Sequence, residues 1–358
     1  KPEYEYSWGK QNWFENQKQE HQAVRQNIGI FDMSSFGKIR VEGEGALDFL
    51  QTICTAQINI PIGRIVYTQM LNNKGGIESD LTVSRLGEKS FLLVVPCATL
   101  QRDLSYLNRE NNSDKVIIID TSSAEGVLSI MGPNSRKLLE AVSPNNFSNL
   151  SHPFGTWKNI EIGSGLARAH RVSYVGELGW EIYISSDQCA HVFEEIWKLQ
   201  KEFNFNMCGI HALDSCRIEK AYRHFGHDIT DEDHVVDAGL CFTADLSKTY
   251  FKGKEAILKK RKIGSSKKML QFKLNDPTKM IYHNEPIIRE NKIVGYLTSG
   301  NYGHTLGGCV GLGYVDCKDL PNEEILSFEY KVDVAGEIVP AKTSLRSMYD
   351  PRSERVRM

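Results

Sequence analysis

No stretch of this sequence approaches the roughly 18 consecutive apolar residues that a membrane-spanning helix needs, and no charged-then-apolar leader opens it. A soluble, unexported, cytoplasmic protein is expected. A basic excess is also missing. The 43 Lys and Arg residues against 45 Asp and Glu leave a formal net charge of -2, which removes the broad positive field of a nucleic-acid or anionic-lipid binder. The one concentrated basic stretch, Lys252, Lys254, Lys259, Lys260, Arg261 and Lys262, is interrupted by Glu255 and has no paired aromatics for stacking bases, so it reads as a solvated face. The 8 cysteines form no C-x-x-C pair and no Cys/His zinc spacing; several lie in apolar runs, which fits free thiols in a reducing compartment. Gly163-Ser164-Gly165 lacks the third glycine and the strand-to-helix setting of a dinucleotide fingerprint, so no nucleotide or flavin fold is expected within these residues.

What is present is a chain of 358 residues, enough to bury a large core in two or three domains. Lys1 in place of Met, with a busy sequence from residue 4 onward, leads us to expect a piece of something longer. Helices and strands interleave without the even βαβ rhythm of a doubly wound sheet, which predicts an α+β architecture. The aromatic lead Tyr4, Tyr6, Trp8, Trp13 and Phe14 needs a surface to dock on. Residues 16–27 are helix-compatible, and 29–43 read as a strand pair with glycines at its bends. Helices are expected over 46–54, 98–108, 135–142 and 189–202, and strands over 91–95, 116–120 and 126–131. Gly264-Ser265-Ser266 marks a linker, and the short alternating segments that follow predict a small β domain, a barrel.

Residues 67–83, Y-T-Q-M-L-N-N-K-G-G-I-E-S-D-L-T-V, stand at the centre of the functional reading. Two strand-forming runs flank Asn72 to Gly76, so a β-hairpin is expected, with Ile77, Ser79 and Leu81 on one face and Glu78, Asp80 and Thr82 on the other. Asp80 in mid-strand runs against β-propensity; the plain alternative is a solvated hairpin face. A second hairpin is expected over 167–185, turning at 176–179 and reaching Trp180-Glu181. After it comes a helix from about His211 to a cap at Gly226, carrying Arg217. The plain alternatives are an exposed strand acid for Glu181, a salt bridge to Asp214 or Glu219 for Arg217, and ordinary strand packing for Tyr67. His224, His227 and Asp228 are metal-ligating types at a weak spacing, and no metal is expected.

The G-G-I-E-S-D-L hairpin resembles the G-G-[IV]-x-x-[DE]-L element of the folate-binding aminomethyltransferases, the glycine cleavage T-protein family. The Y-V-G-E-L-G-W-E segment resembles that family's pterin-gripping frame, and D-S-C-R-I-E-K its D-S-L-R-L-E helix. The resemblance covers essentially the whole chain. It implies a three-domain ring around a folate channel, with two interleaved α+β domains over 1–262 and a barrel-like C-terminal domain over 263–358. It also implies tetrahydrofolate as cofactor, with Asp80 as the acid nearest its reactive nitrogens and Glu181 accepting the paired hydrogen bonds of the pterin edge. Arg217 would lie at the folate site, with Tyr67, Tyr174 and Trp180 beside the ligand, while Glu177 reads as structural. Where many members pair two Asp residues, this chain has Ser79 and then Asp80.

The two ends, W-G-K-Q-N-W-F-E-N and Y-D-P-R-S-E-R-V-R, together with R-H-F-G-H-D-I-T-D-E-D, resemble the C-terminal half of dimethylglycine and sarcosine dehydrogenase-like flavoproteins. That branch implies an aminomethyltransferase of one-carbon metabolism. It would take a methylene unit from an oxidised methylamine such as dimethylglycine or sarcosine and form 5,10-methylenetetrahydrofolate. FAD would belong only to a separate or missing N-terminal flavin domain or subunit, and Trp8, Trp13 and Phe14 would pack where the halves meet. The runner-up is a stand-alone aminomethyltransferase of the glycine cleavage system, fed by a lipoyl carrier. A non-catalytic folate-binding protein of iron–sulfur maintenance would carry K-G-C, where this chain has Lys252-Gly253-Lys254. A folate-dependent demethylase of a sulfur compound is the remaining alternative. No nucleic-acid or membrane partner is implied.

Overall fold

The computed structural model describes residues 3–318 and 320–358. Two sheets interleave in sequence. Gly29–Asp32 enters a six-stranded sheet ordered Asn206–Met207, Gly29–Asp32, Glu125–Met131, Gly179–Ser185, Gly165–His170, Trp157–Ile162. The chain then leaves to build an antiparallel five-stranded sheet, ordered Ile65–Leu71, Ile77–Gly87, Ser90–Val95, Gly37–Glu42, Ile117–Asp120, and returns at Glu125. The strand pair expected over 29–43 is thereby corrected, since Gly29–Asp32 and Gly37–Glu42 lie in different sheets. The turn between them places Met33 and Phe36 against Leu92, Val94, Val127 and Tyr183, and this apolar contact carries the chain from one sheet to the other.

Each sheet buries one face beneath its own helices, as period-two patterning requires. In the five-stranded sheet Ile39, Val41, Leu81, Val83, Phe91 and Leu93 meet Phe49 and Leu50 of the Ala46–Ile53 helix and Tyr106 and Leu107 of the Leu100–Glu110 helix. In the six-stranded sheet Ile130, Trp180, Ile182 and Ile184 meet Leu138 and Leu139 of the Ser135–Val142 helix and Val192 and Ile196 of the Cys189–Trp197 helix. Full burial of each such large side chain contributes about 1.5–3 kcal/mol. The opposite faces of the two sheets turn toward each other and touch through Leu92, Val94, Val127 and Tyr183. The helix expected over 189–202 is two, Cys189–Trp197 and Gln200–Phe203.

The second hairpin differs from expectation in its connection. Gly165–His170 and Gly179–Ser185 pair antiparallel, but a loop over 171–178 joins them, and Val175 and Glu177 in that loop are buried. The helix carrying Arg217 runs over Ile210–Glu219 and stops before Gly226. Its end is a Schellman-type cap: Ala221 takes φ 55, the Tyr222 N–H donates to Arg217 O at 2.9 Å and the Ala221 N–H to Ile218 O at 2.9 Å.

Beyond Gly264, which closes the Lys254–Ile263 helix at φ 97, six strands form a closed barrel ordered Lys267–Leu274, Gly308–Asp316, Lys292–Gly303, Pro286–Arg289, Tyr330–Val334, Glu337–Ser344. The Phe14–Gln26 helix enters this core through Phe14, which is buried among the barrel's apolar residues. The aromatic lead docks on the same surface. The Met280 N–H donates to Trp8 O at 3.1 Å, Tyr6 and Trp8 meet the Tyr282 ring edge-on, and Trp13 stacks on His211 at 4.8 Å. Among the described residues no helix is long and apolar enough to cross a membrane.

Candidate functional site

The hairpin forms as expected, and its turn is held by a close approach. Gly75 has φ +85, and a Cβ on Gly76 would lie 1.8 Å from Asp231 O. The Asn72 side-chain oxygen accepts the N–H groups of Lys74 and Gly76, each at 2.9 Å. With the turn so fixed, cross-strand register sets Tyr67 opposite Thr82 and Gln69 opposite Asp80, all on the face turned toward the six-stranded sheet.

Asp80 is the centre of this face. Gln69 Nε2 donates to Asp80 Oδ1 at 2.8 Å, and the Tyr67 hydroxyl is a second hydrogen-bond partner. Burial pushes the Asp80 carboxyl up to about 6, against the opposing pull of Gln69, Tyr67 and the nearby Arg223 guanidinium. The same burial, with Asp80 alongside, holds the Tyr67 phenol well above its ordinary value. Tyr174 donates from its hydroxyl to Arg223 O at 2.8 Å and lies parallel to Tyr222 at 6.1 Å between centroids. Arg223 is itself anchored on Ala238 O, at 3.1 and 2.8 Å, and on Ala221 O. Phe242, 77% exposed, stands 6.4 Å from the Tyr67 ring.

Glu181 sits on the facing sheet, in register with Ser129 and His170. The Tyr183 hydroxyl donates to its Oε2 at 2.8 Å; among the described residues its other oxygen has no hydrogen-bond partner. Burial raises this carboxyl to about 7, with Tyr183 pulling the other way. Trp180 does not accompany it. One residue earlier on the strand, Trp180 faces the opposite way, fully buried and edge-on to Phe147 at 5.5 Å, so its expected place beside a ligand is corrected by strand alternation. Glu177 is indeed structural: wholly buried, it accepts from Arg25 Nη1 at 3.1 Å, Arg355 Nε at 2.9 Å and the Tyr349 hydroxyl.

Arg217 is committed inside the protein. Its Nε donates to Asp214 Oδ1 at 2.7 Å, Nη1 to Asp228 Oδ2 at 2.5 Å and to Tyr222 O at 3.1 Å, and Nη2 to Ser299 Oγ at 2.9 Å. A second contact from Nη2 to Asp214 at 2.7 Å occupies the remaining N–H. The guanidinium thus joins its helix to the barrel; Asp228, 11 residues on, and Ser299, 82 residues on, are the partners that local pattern does not point to. Asp228 spends its carboxylate on Arg217, Thr298, Ser299 and the His224 backbone N–H, while the His224 and His227 side chains are exposed; among the described residues no metal-binding cluster occurs.

Tyr67, Asp80 and Tyr174 therefore come together, Glu181 faces their sheet from across, and Arg217 braces the Tyr174 side. Sequence reading missed Gln69, Arg223 and Thr243. Gln69 was legible in principle, because the hairpin register puts it opposite Asp80; Arg223 reaches the site from a loop and Thr243 from the single 3-10 turn Cys241–Thr243, neither of which carries a pattern. A cavity of about 570 Å³ lies elsewhere, lined by His21, Arg25, His304, Thr305, Tyr349 and Arg355. All five N–H groups of its Arg25 are already bonded to Glu177, Glu219, Val175 O and Cys216 O.

Comparison with known proteins accords with this architecture. The GCVT N-terminal domain family matches residues 2–248, and the glycine cleavage T-protein C-terminal barrel domain matches residues 267–350. The chain is 39% identical to the 4-methylaminobutanoate oxidase (formaldehyde-forming) of Paenarthrobacter nicotinovorans, across 99% of this chain and 43% of that protein. It is 35% identical to an aminomethyltransferase of Halothermothrix orenii, covering 90% of this chain and 89% of the other, and 32% identical to human mitochondrial sarcosine dehydrogenase, covering 95% and 39%. The chain thus spans less than half the length of the two oxidising relatives. The crystal structure of the glycine cleavage system aminomethyltransferase T from Bartonella henselae superposes with a TM-score of 0.82 at 24% identity, covering 96% of this chain and 93% of that one, so the folds agree. On the two domain matches and the Halothermothrix relative together, the chain belongs to the glycine cleavage T-protein family of aminomethyltransferases.

Proposed function

We propose that this chain binds tetrahydrofolate between its two facing sheets and transfers to it a one-carbon unit from an oxidised methylamine, of which dimethylglycine and sarcosine are examples. The observation that carries the reading is the pair of acids on opposed faces. Asp80 and Glu181 both lie in burial that brings their proton affinity near neutrality, and Glu181 keeps an oxygen free to accept. Such a carboxylate fits the adjacent exocyclic amine and ring N–H of a pterin, which ask for a planar two-oxygen acceptor. When bound, the reduced folate supplies nucleophilic nitrogen for a one-carbon unit at the formaldehyde oxidation level, giving 5,10-methylenetetrahydrofolate.

Every other part of the chemistry falls to side chains of the chain. Glu181 orients the ring; Tyr67 and Tyr174 flank the space beside Asp80; Arg217, saturated by its own partners, is assigned to holding the Tyr174 side in place. Asp80, with a pKa near 6, accepts and returns a proton at neutral pH and offsets positive charge beside it. Proximity of the two reactants in one enclosed space supplies much of the remainder. The T-protein part is assigned to residues 1–262 and the barrel to 263–358.

The methylamine reading is supported by the two oxidising relatives, and a flavin-containing domain or subunit is the partner it calls for. One observation favours a second reading: the match to the Halothermothrix orenii aminomethyltransferase spans 89% of that protein, as a stand-alone enzyme of glycine cleavage requires. The iron–sulfur maintenance alternative meets Lys254 where its cysteine belongs, with Nζ donating to Lys248 O at 2.5 Å. The test couples this chain to a separately supplied sarcosine-oxidising flavoenzyme. Tetrahydrofolate-dependent capture of formaldehyde above the spontaneous rate supports the proposal; capture at the spontaneous rate alone refutes it.

A further inference from the structure

Behind Asp80 lies a line of groups with one proton too few to satisfy every contact at once. Gln69 is fully buried on the strand facing Asp80, with Nε2 2.8 Å from Asp80 Oδ1. Its Oε1 is a close hydrogen-bond neighbour of Thr243 Oγ1, and Thr243 Oγ1 also lies 2.7 Å from Leu240 O. A hydroxyl has a single proton, so Thr243 donates either to Gln69 or to the Leu240 carbonyl. Each choice dictates the rest of the line.

If the Thr243 proton points to Gln69 Oε1, the Gln69 amide must present its NH₂ to Asp80, which suits a carboxylate. If the proton points to Leu240 O, Thr243 Oγ1 becomes an acceptor, the amide turns over to donate to it, and Gln69 Oε1 faces Asp80. That arrangement suits a protonated acid, which donates to it. Both patterns give every polar atom of the line at least one hydrogen bond, with the Leu240 carbonyl keeping the Thr243 N–H at 3.1 Å in either, so neither protonation state leaves an atom of the line without a partner.

Resting on the assignment of Asp80 as the proton-handling acid, we propose that Gln69, Thr243 and the Leu240 carbonyl form a two-state hydrogen-bond relay that reverses its direction each time Asp80 gains or loses its proton. Gln69 and Thr243 are positioning residues: they act through Asp80. The relay answers a demand of any buried acid that must both take and return a proton, namely that its surroundings fit both forms without movement of the backbone. The other titratable or charged groups that act on Asp80 are Tyr67 from the neighbouring strand, Arg223 and Tyr174 from the loops, and, from beneath the opposite face of the sheet, Asp103 of the Leu100–Glu110 helix. None of these contacts Leu240 through the line described.

Carbon-13 NMR on the ligand-free chain reads this directly. The Asp80 carboxyl and the Leu240 backbone carbonyl are followed together from pH 5 to pH 8, each signal assigned by substitution of its own residue. The relay predicts that the Leu240 carbonyl shifts with the midpoint of Asp80, two hydrogen bonds away. Thr243→Val must abolish the Leu240 response while Asp80 still titrates, and Thr243→Ser must keep it. Gln69→Met, which removes the donor to the carboxylate, must raise the Asp80 midpoint by about one pH unit. A Leu240 carbonyl that stays flat in the wild type across the Asp80 titration overturns the relay, whether or not any variant folds. Because no folate is present, such a failure leaves the binding proposal untouched, and absent folate binding with a responsive Leu240 would fault that proposal alone.

Discussion

At Asp80 and Glu181 the same loss of water around a carboxyl has different consequences because the hydrogen-bond partners differ. Asp80 has a dedicated amide donor and a phenol and lies at about 6; Glu181 has one phenol and lies at about 7. If Glu181 accepts two N–H groups from the pterin edge, it must be ionised to do so. Tetrahydrofolate affinity should therefore rise as pH increases through about 7, and isothermal titration across pH 6 to 8 checks the direction; a flat or inverted profile removes Glu181 from the binding site. Asp80→Asn separates binding from chemistry. It should retain folate affinity within a few-fold while the rate of one-carbon transfer falls by about 10²–10⁴ in single-turnover measurements, the range for loss of a positioned acid or base. Unchanged transfer would take Asp80 out of the chemistry.

Among the elements, the hairpin decides where both Asp80 and Gln69 stand, and at Gly76 its turn has no room for a side chain. Gly76→Ala brings a methyl into the Asp231 carbonyl and must displace the 231–234 segment. We expect it to destabilise the chain by about 1–3 kcal/mol in urea unfolding, with a loss of folate affinity that exceeds what the lower stability explains. A variant as stable and as active as wild type would show that the turn does not set the site. This hairpin was legible from residue order because alternation and turn chemistry are local. So was the division of Trp180 from Glu181, since neighbouring strand residues face opposite ways; the family resemblance put both beside the ligand, and the strand put Trp180 in the core. What local pattern does not carry is the identity of a strand's partner. Gly29–Asp32 and Gly37–Glu42 read as a pair because a short turn joins them, yet apolar contacts of that turn send them to separate sheets. Arg217 is the same lesson in side chains: Asp214 was within local view, while Asp228 and Ser299 become neighbours only when the barrel closes against the helix.

Across the whole molecule, a buried ionic network ties the first helix to the last residues. Arg25 bonds Glu177 and Glu219, Arg355 reaches Glu177, and Lys220 holds Asp350 at 3.0 Å, so the N-terminal helix, the 171–178 loop, the Arg217 helix and the C-terminal segment share one set of charges. His21, 3.3 Å from Glu219 and 3.4 Å from the Cys216 sulfur, belongs to it. Burial opposes its charge, but those neighbours more than offset that and raise it from 6.5 to about 9. A histidine held above its ordinary value stabilises the fold fully below pH 6.5 and loses that contribution as pH rises through 9. The stability difference between wild type and His21→Gln should thus approach about 3 kcal/mol at pH 6 and shrink toward zero near pH 9.5, measured by denaturant unfolding at each pH. A difference independent of pH would mean that His21 is neutral in the folded chain.

In the function proposed above, two acids on facing sheets hold a reduced folate. An anaerobic calorimetric titration of the wild-type chain and of Glu181→Gln with tetrahydrofolate, at pH 7.5 under reducing conditions, tests it most directly. One saturable site is expected in the wild type, with an affinity about tenfold or more weaker in the variant, as follows when a charge-assisted pair of hydrogen bonds is lost. Equal affinity in the two proteins, or no binding by a folded wild-type chain, would contradict it.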